Sequence, residues 1–424
     1  MITPQNDHDV QTAVDLIADR LASPEQARTW NLTHGWWPQS LANGAVGVAL
    51  LHIERARIGL ASWQRAHDWL ACAAAGGAVG GPDSHLFYGV PALAFALHAA
   101  ATGWPDRYAR ALETLDKHLA ATVQARLAAA HARIDRREPP ALAEFDAIRG
   151  LSGMAALLMR REVHTDLARQ VIAYLVRLTE PIEDGEELLP GWWSALAPSG
   201  APSTNFPRGH GNNGMAHGIA GPLAALSLAT FHGITAPGQS KAIERICSWL
   251  DRWQQQGLAG PWWPYWITRE QLRTGDPGIG PSRPSWCYGA AGVARAQQLA
   301  ALALGDSARQ HMAEDTLLRA VTDPGQLDQT TDASLCHGFA GLVHLTELAA
   351  ADAINPGLAQ ALPHLLQRLV PAGPQVLADS LLAPPQGAAA IGLLEGAAGI
   401  AMALHSTQEG TSAATVWNAC LLIN

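Results

Sequence analysis

Along this chain, small and apolar residues gather into runs that each begin at a recurring glycine pattern, with amphipathic stretches between the runs. The pattern is glycine, two residues, then glycine or alanine. It occurs as Gly44-Ala-Val-Gly47, Gly89-Val-Pro-Ala92, Gly150-Leu-Ser-Gly153, Gly218-Ile-Ala-Gly221, Gly289-Ala-Ala-Gly292, Gly338-Phe-Ala-Gly341 and Gly396-Ala-Ala-Gly399. The first glycines lie about 45–70 residues apart, a spacing that signals one supersecondary unit repeated with insertions of variable length. Leu167–Leu178 and Ala242–Trp253 carry apolar residues at three- and four-residue steps, the period of a helix with one buried face. Each unit therefore reads as two helices. One starts at the glycines and is apolar on several faces, so it belongs inside; the other is amphipathic and belongs outside. Seven such pairs predict an all-α protein, a closed α/α toroid rather than an open solenoid. We expect one domain spanning 1–424, with long irregular insertions near 181–213 and 255–285.

Composition narrows the class. Of the 424 residues, 48% are hydrophobic and 15% charged, as expected of a globular protein with a large core. The net charge of −9 comes without a run of Lys or Arg, so nucleic acid and anionic membranes find no electrostatic footprint. Met1 to Val10 is polar and unlike a secretory signal, and Leu70–Gly81 is too short and Gly-rich to span a bilayer. Five scattered cysteines do not make a disulfide framework in a chain of this size, which points to a reducing cytoplasm.

Aligning the motifs gathers the chemistry. The residues just before the first glycines are Asn43, Tyr88, Arg149, His217, Tyr288, His337 and Glu395. One position earlier, Cys287 and Cys336 fill the same slot in neighbouring repeats, and His337 follows Cys336 directly. Two thiolates and an imidazole suit zinc, and three protein ligands leave a fourth position open, the mark of a catalytic site. Cys72, Cys247 and Cys420 share no such register and read as packing residues. His217 stands in the same ring of positions and suits acid–base work. Asp146, four residues before Gly150, is either a helix cap or a carboxylate at the same mouth. Arg283, four before Cys287, can clamp a carbonyl or simply decorate a loop. His34 and His210 read as structural or rim residues. The tryptophan pairs Trp192-Trp193 and Trp262-Trp263 either wall a cleft or cap the core, and the acidic stretch Glu180–Glu187 reads as a solvated turn.

At these residues the chain resembles the lanthionine synthetase C-like family, the cyclases of lantibiotic biosynthesis. The matching stretches are Ser40-Leu-Ala-Asn-Gly44, Asp146-Ala-Ile-Arg-Gly-Leu-Ser-Gly153, Asn213-Gly-Met-Ala-His-Gly-Ile-Ala-Gly-Pro222, Trp262-Trp-Pro-Tyr-Trp266, Arg283-Pro-Ser-Trp-Cys-Tyr-Gly289, Leu335-Cys-His-Gly338 and Leu394-Glu-Gly-Ala-Ala-Gly399. Trp-Cys-Tyr-Gly together with Cys-His-Gly is the specific signal. The resemblance implies an α/α toroid with zinc on Cys287, Cys336 and His337, catalytic work by His217 and Asp146, and a site lined by Tyr288 and Arg283. It implies a stand-alone cyclase that adds peptide cysteine thiolates to dehydroalanine or dehydrobutyrine, closing thioether rings as a post-translational modification. The implied partners are a dehydrated precursor peptide (leader plus core) and, in a complex that could sit peripherally at the membrane, a dehydratase and an exporter. Three rival readings set the tests: addition of glutathione to dehydrated residues on the same metal site, a toroid glycosidase using Asp146 and Glu395 as a carboxylate pair, and a non-catalytic helical scaffold.

Overall fold

Every one of the seven glycine motifs opens a helix in the computed structural model, which describes residues 4–27, 36–104, 106–383, 389–408 and 416–424. The seven are Ala45–Arg57, Val90–Gly103, Leu151–Leu158, Ala220–Phe231, Ala290–Leu304, Phe339–Asp352 and Ala397–Ser406. They are buried almost throughout; Leu151–Leu158 and Ala397–Ser406 are buried at every position. The second glycine of the motif has a steric reason. A Cβ on Gly47, Gly221, Gly292, Gly341 or Gly399 would stand 1.7–2.7 Å from the carbonyl oxygen of the residue six positions earlier. The loop entering each helix is folded back onto its first turn, and a side chain there would collide with backbone.

Between the inner helices lie amphipathic partners. Thr165–Leu178 buries Leu167, Ala168, Val171, Ile172, Leu175 and Leu178, the three- and four-residue steps of one helical stripe. Gln239–Trp253 does the same with Ala242, Ile243, Ile246, Leu250 and Trp253. Each fully buried aliphatic side chain in such a stripe contributes roughly 1.5–3 kcal/mol, so these helices are held by packing rather than by intrinsic propensity. The remaining partners are Trp63–Ala74, Ala109–Asp135, Ser307–Thr322 and Gly357–Leu369. The pairing departs from the sequence reading at one place. The seventh outer helix does not follow the seventh glycine motif; it is the first helix of the chain, Pro4–Arg20, which packs against Ala397–Ser406. Its stripe of Val10, Ala13, Val14, Ile17 and Ala18 is almost wholly buried.

The described residues divide into two units: 1–119, 330–351 and 356–418 in the first; 120–329, 352–355 and 419–424 in the second. In the first, Ala45–Arg57 packs between Val90–Gly103 and Ala397–Ser406. In the second, Ala220–Phe231 packs between Leu151–Leu158 and Ala290–Leu304.

The two insertions of the second unit are not wholly irregular. They form three two-stranded antiparallel sheets: Ile182–Asp184 with Glu187–Leu189, Gln255–Gly257 with Gly260–Trp262, and His210–Asn212 with Trp266–Thr268. The last joins one insertion to the other, pairing Asn212 with Trp266. The acidic stretch is a hairpin rather than a free turn, because Asp184 and Glu187 both hold the guanidinium of buried Arg269. The tryptophan pairs belong to the core: Trp192, Trp193, Trp262 and Trp263 are all buried. Two of the indoles find carbonyls there, Trp193 donating to Arg208 and Trp263 to Leu250. No helix among the described residues is long and apolar enough to cross a membrane.

Candidate functional site

The loops that precede the glycines are laced together by backbone hydrogen bonds. In the second unit, Ala147 N–H donates to Ala216 O at 3.0 Å, and Met215 and Ala216 N–H donate to Cys287 O at 2.9 and 3.2 Å. In the first unit, Cys336 N–H donates to Leu394 O at 2.8 Å, and Leu394 N–H to Ala42 O at 3.2 Å. Equivalent positions of successive repeats thus lie side by side, as the motif register implies.

A second regularity fixes the side chains. Four residues before the first glycine, an oxygen accepts the N–H of the residue just before that glycine. Ser40 accepts from Asn43, Asp146 from Arg149, Ser285 from Tyr288 and Ser334 from His337, at 2.6–3.3 Å. These are capping bonds that tie up donors left free at a helix start. Asp146 is therefore a cap, with Oδ1 accepting from both Arg149 and Gly150 N–H. It is also more than a cap. Its other oxygen, Oδ2, lies 2.7 Å from His217 Nδ1.

That contact decides the chemistry of His217. Asp146 is buried (side chain 1% exposed), whereas the His217 side chain is 36% exposed. With a carboxylate on Nδ1, that nitrogen carries the proton and donates, leaving Nε2 with a free lone pair. A half-exposed imidazole with a fixed tautomer is equipped to accept and return a proton.

Tyr288 stands beside it, with ring centroids 6.4 Å apart. Asn212 Nδ2 donates to the Tyr288 hydroxyl at 3.0 Å, and Gly214 leaves the room its ring occupies: a Cβ there would meet the ring at 2.5 Å. Tyr265 and Trp266 continue the aromatic wall, 5.0 and 5.7 Å from the Tyr288 ring. Burial raises the Tyr265 phenol above its ordinary pKa, so it stays neutral at physiological pH. Beyond them runs a groove of about 260 Å³, lined among others by Phe206, Tyr265, Trp266, Pro277 and Ile279. Arg283 is half-buried nearby in the chain, and among the described residues its guanidinium has no hydrogen bond or ion pair. The sequence reading does not single out Asn212, Tyr265 or Trp266, whereas the Trp262-Trp263 pair it does single out lines the same groove.

Cys287 is buried, and Ser285 Oγ lies 3.6 Å from its Sγ. Cys336 and His337 belong to the first unit, half-buried, where His337 Nε2 lies 3.5 Å from Asp332 Oδ2. Each of the three offers one ligand atom, two sulfurs and a ring nitrogen, a donor set that fits zinc. Both cysteines stand just before helix N-termini, where the positive end of the helix dipole favours thiolate. Cys247 and Cys420 are buried packing residues, whereas Cys72 is half-exposed. Burial pushes the Cys247 thiol up to about 11, and Cys420 well above its usual value. His210 is buried and structural: Nδ1–H donates to Leu196 O, and burial lowers its pKa to about 4. Glu395 is exposed, and His34 lies outside the described residues.

A curated relative, nisin biosynthesis protein NisC of Lactococcus lactis subsp. lactis, is 25% identical over 247 residues. That alignment spans 57% of this chain and 57% of the relative. The solved structure of nisin cyclase matches with a TM-score of 0.77 at 20% identity, covering 97% of both chains. The chain accordingly has the fold of that structure, the α/α toroid. The profile of the lanthionine synthetase C-like proteins matches residues 35–422, nearly the full length. The chain belongs to the lanthionine synthetase C-like family.

Proposed function

We propose that the chain is a lanthipeptide cyclase acting as one domain, which closes thioether rings by adding peptide cysteine sulfur to dehydroalanine or dehydrobutyrine. The observation that carries this reading is the His217–Asp146 pair, a half-exposed imidazole whose Nδ1 is held at 2.7 Å by a buried carboxylate. A scaffold has no use for such a pair.

In this reading Cys287, Cys336 and His337 hold a zinc ion. Zinc, when bound, supplies a Lewis acid that favours the thiolate form of a substrate cysteine near neutral pH. The protein residues then divide the remaining work. His217 Nε2 accepts the proton that leaves the cysteine thiol. A bond forms between sulfur and the β-carbon of the dehydrated residue, and the C=C π pair moves through the α-carbon onto the neighbouring carbonyl oxygen. Arg283 and the Tyr288 hydroxyl are the donors for that oxygen. The imidazolium of His217 returns its proton to the α-carbon, so the enzyme ends as it began and no atom is gained or lost. Asp146 touches no reacting atom; it is a positioning residue that fixes the His217 tautomer. The aromatic groove of Phe206, Tyr265 and Trp266 is the surface for peptide residues flanking the ring. The peptide arrives already dehydrated, so a dehydratase must act first, and an exporter is the natural recipient of the product.

The test is direct. Purified protein, with its metal content measured, is incubated with a dehydrated peptide containing cysteine, and residual thiols are counted after alkylation. Loss of peptide thiols without glutathione supports the cyclase. Peptide thiols that persist while the peptide gains the mass of glutathione replace it with the intermolecular reaction, in which the glutathione sulfur adds to the dehydrated residue. Neither thiol loss nor a glutathione adduct, from zinc-containing protein, overturns both.

A further inference from the structure

We propose that Asp332 is a positioning residue for the metal site: it holds Nε2–H of His337 so that Nδ1 is the nitrogen presented to zinc. The inference rests on the zinc reading above.

The Asp332 carboxylate is anchored on one side. Its Oδ1 accepts the Ser334 N–H at 2.8 Å, and its backbone oxygen accepts the Phe339 N–H at 3.1 Å. A Cβ on Gly338 would stand 2.4 Å from that Oδ1, so the glycine is what lets the carboxylate sit against the turn. The free oxygen, Oδ2, then faces the His337 ring, 3.5 Å from Nε2. This is ion-pair range, a few tenths of an ångström from a hydrogen bond. A metal-bound histidine characteristically donates its other N–H to a carboxylate, carbonyl or water, which fixes its tautomer and raises its basicity.

The repeat supplies an internal control. Six residues before Gly218, Asn212 occupies the slot that Asp332 occupies before Gly338. Asn212 Oδ1 accepts the Gly214 N–H at 3.0 Å, its backbone oxygen accepts the Ile219 N–H at 2.8 Å, and a Cβ on Gly218 would stand 2.4 Å from Oδ1. The local fold is the same, and an amide satisfies it. A carboxylate at 332 is therefore not demanded by the turn. The two slots differ in what the second terminal atom of the side chain meets: Asn212 Nδ2 donates to a tyrosine hydroxyl, and Asp332 Oδ2 meets an imidazole.

The same comparison designs the test. In Asp332→Asn the Ser334 N–H keeps the amide oxygen at the Oδ1 position, as it does at Asn212. The NH2 group then faces His337 Nε2. Two donors cannot face each other, so the imidazole must move its proton to Nδ1, the nitrogen the metal needs. The turn survives and the ligand is disarmed. Two measurements read this out. In metal-free protein, 15N-edited NMR of His337 should show the Nε2–H tautomer in the wild type and the Nδ1–H tautomer in Asp332→Asn. In chelator competition, zinc affinity should fall about 10- to 100-fold in Asp332→Asn with an unchanged far-UV spectrum, and Asp332→Ala should fall within the same range.

Equal zinc affinity in the wild type and Asp332→Asn, or an Nδ1–H tautomer in the wild type, overturns the proposal and leaves the zinc reading standing. A wild-type protein that binds no zinc after reconstitution removes the zinc reading itself, and the proposal with it.

Discussion

Asp146→Asn is the perturbation that separates the two jobs of one side chain. Asp146 Oδ1 accepts two backbone N–H groups, from Arg149 at 2.6 Å and Gly150 at 2.8 Å, and Oδ2 accepts from His217. An asparagine must choose which end carries its oxygen. Turning the NH2 toward the two N–H donors would leave buried donors unpaired, at about 1–3 kcal/mol each. The oxygen therefore stays at the cap and the NH2 meets His217 Nδ1. The imidazole responds by carrying its proton on Nε2, which removes the lone pair that faces substrate. Loss of a correctly protonated general base costs about 10²–10⁴ in rate, the upper end matching the wrong-tautomer Asp→Asn effect known for serine protease triads, or roughly 3–5 kcal/mol of barrier. Stability should change by less than about 1 kcal/mol, because the capping bonds persist and only a helix-terminus charge is lost. Asp146→Ala, by contrast, loses the cap and should cost about 1–2 kcal/mol as well. Ring closure leaves the peptide mass unchanged, so the assay alkylates residual thiols and counts adducts over time, beside urea melts of both variants. Turnover of Asp146→Asn within threefold of wild type would refute the tautomer argument. A stability loss in Asp146→Asn equal to that of Asp146→Ala would refute the account of the cap.

Three further outcomes are expected. Cys336→Ala should lose zinc and ring formation together, measured by elemental analysis and thiol counting, whereas His217→Ala should keep its metal and lose most turnover; full activity in a metal-free Cys336→Ala protein would sink the zinc mechanism. Gly399→Ala should destabilise the fold by about 2–4 kcal/mol, since its Cβ would lie 1.7 Å from Leu393 O, while Ala at Gly233, where nothing lies within 4 Å but φ is +68°, should cost only about 1 kcal/mol; equal denaturation midpoints for the two would contradict the packing argument. Burial lowers His52 and His210 from 6.5 to about 4, so below pH 6.5 the unfolded chain takes up protons that the folded chain refuses. Their contribution is complete above 6.5 and is lost as pH falls toward 4, by up to about 3 kcal/mol each; urea midpoints from pH 7 to 5 should fall, less steeply in His52→Gln, and a flat profile would contradict this.

How much of this was legible in the sequence depended on register. Cys287 and Cys336 stand out because the glycine motif gives each repeat a common origin, and the same origin exposes His217 and His337. The motif was legible because it has a rigid cause, a carbonyl folded onto the second glycine, which tolerates no side chain. The bond between Asp146 and His217 was not legible. The two residues are 71 apart in the chain, and a carboxylate four residues before a helix glycine looks like any cap. Asp332 and Asn212 escaped for a related reason, since a short polar side chain in a turn has an adequate local explanation until its second terminal atom is followed. The tryptophan pairs were ambiguous because indoles serve cores and clefts equally well. The packing shows them buried, with Trp262 and Trp263 still contributing to the groove beside Tyr265 and the half-exposed Trp266.

The docking of Pro4–Arg20 on Ala397–Ser406 has a consequence for biosynthesis. The apolar stripe of Pro4–Arg20 is made long before the helices that cover it, Pro374–Leu382 and Ala397–Ser406. In that interval Val10, Val14 and Ile17 stand without these partners, a standing invitation to holdase chaperones. The contact also carries a loop-closure entropy set by the long stretch of chain between the partners, although that entropy grows only logarithmically with length. A ribosome stalled shortly before residue 374 would thus hold a chain in which Pro4–Arg20 has neither of these two helices to dock on.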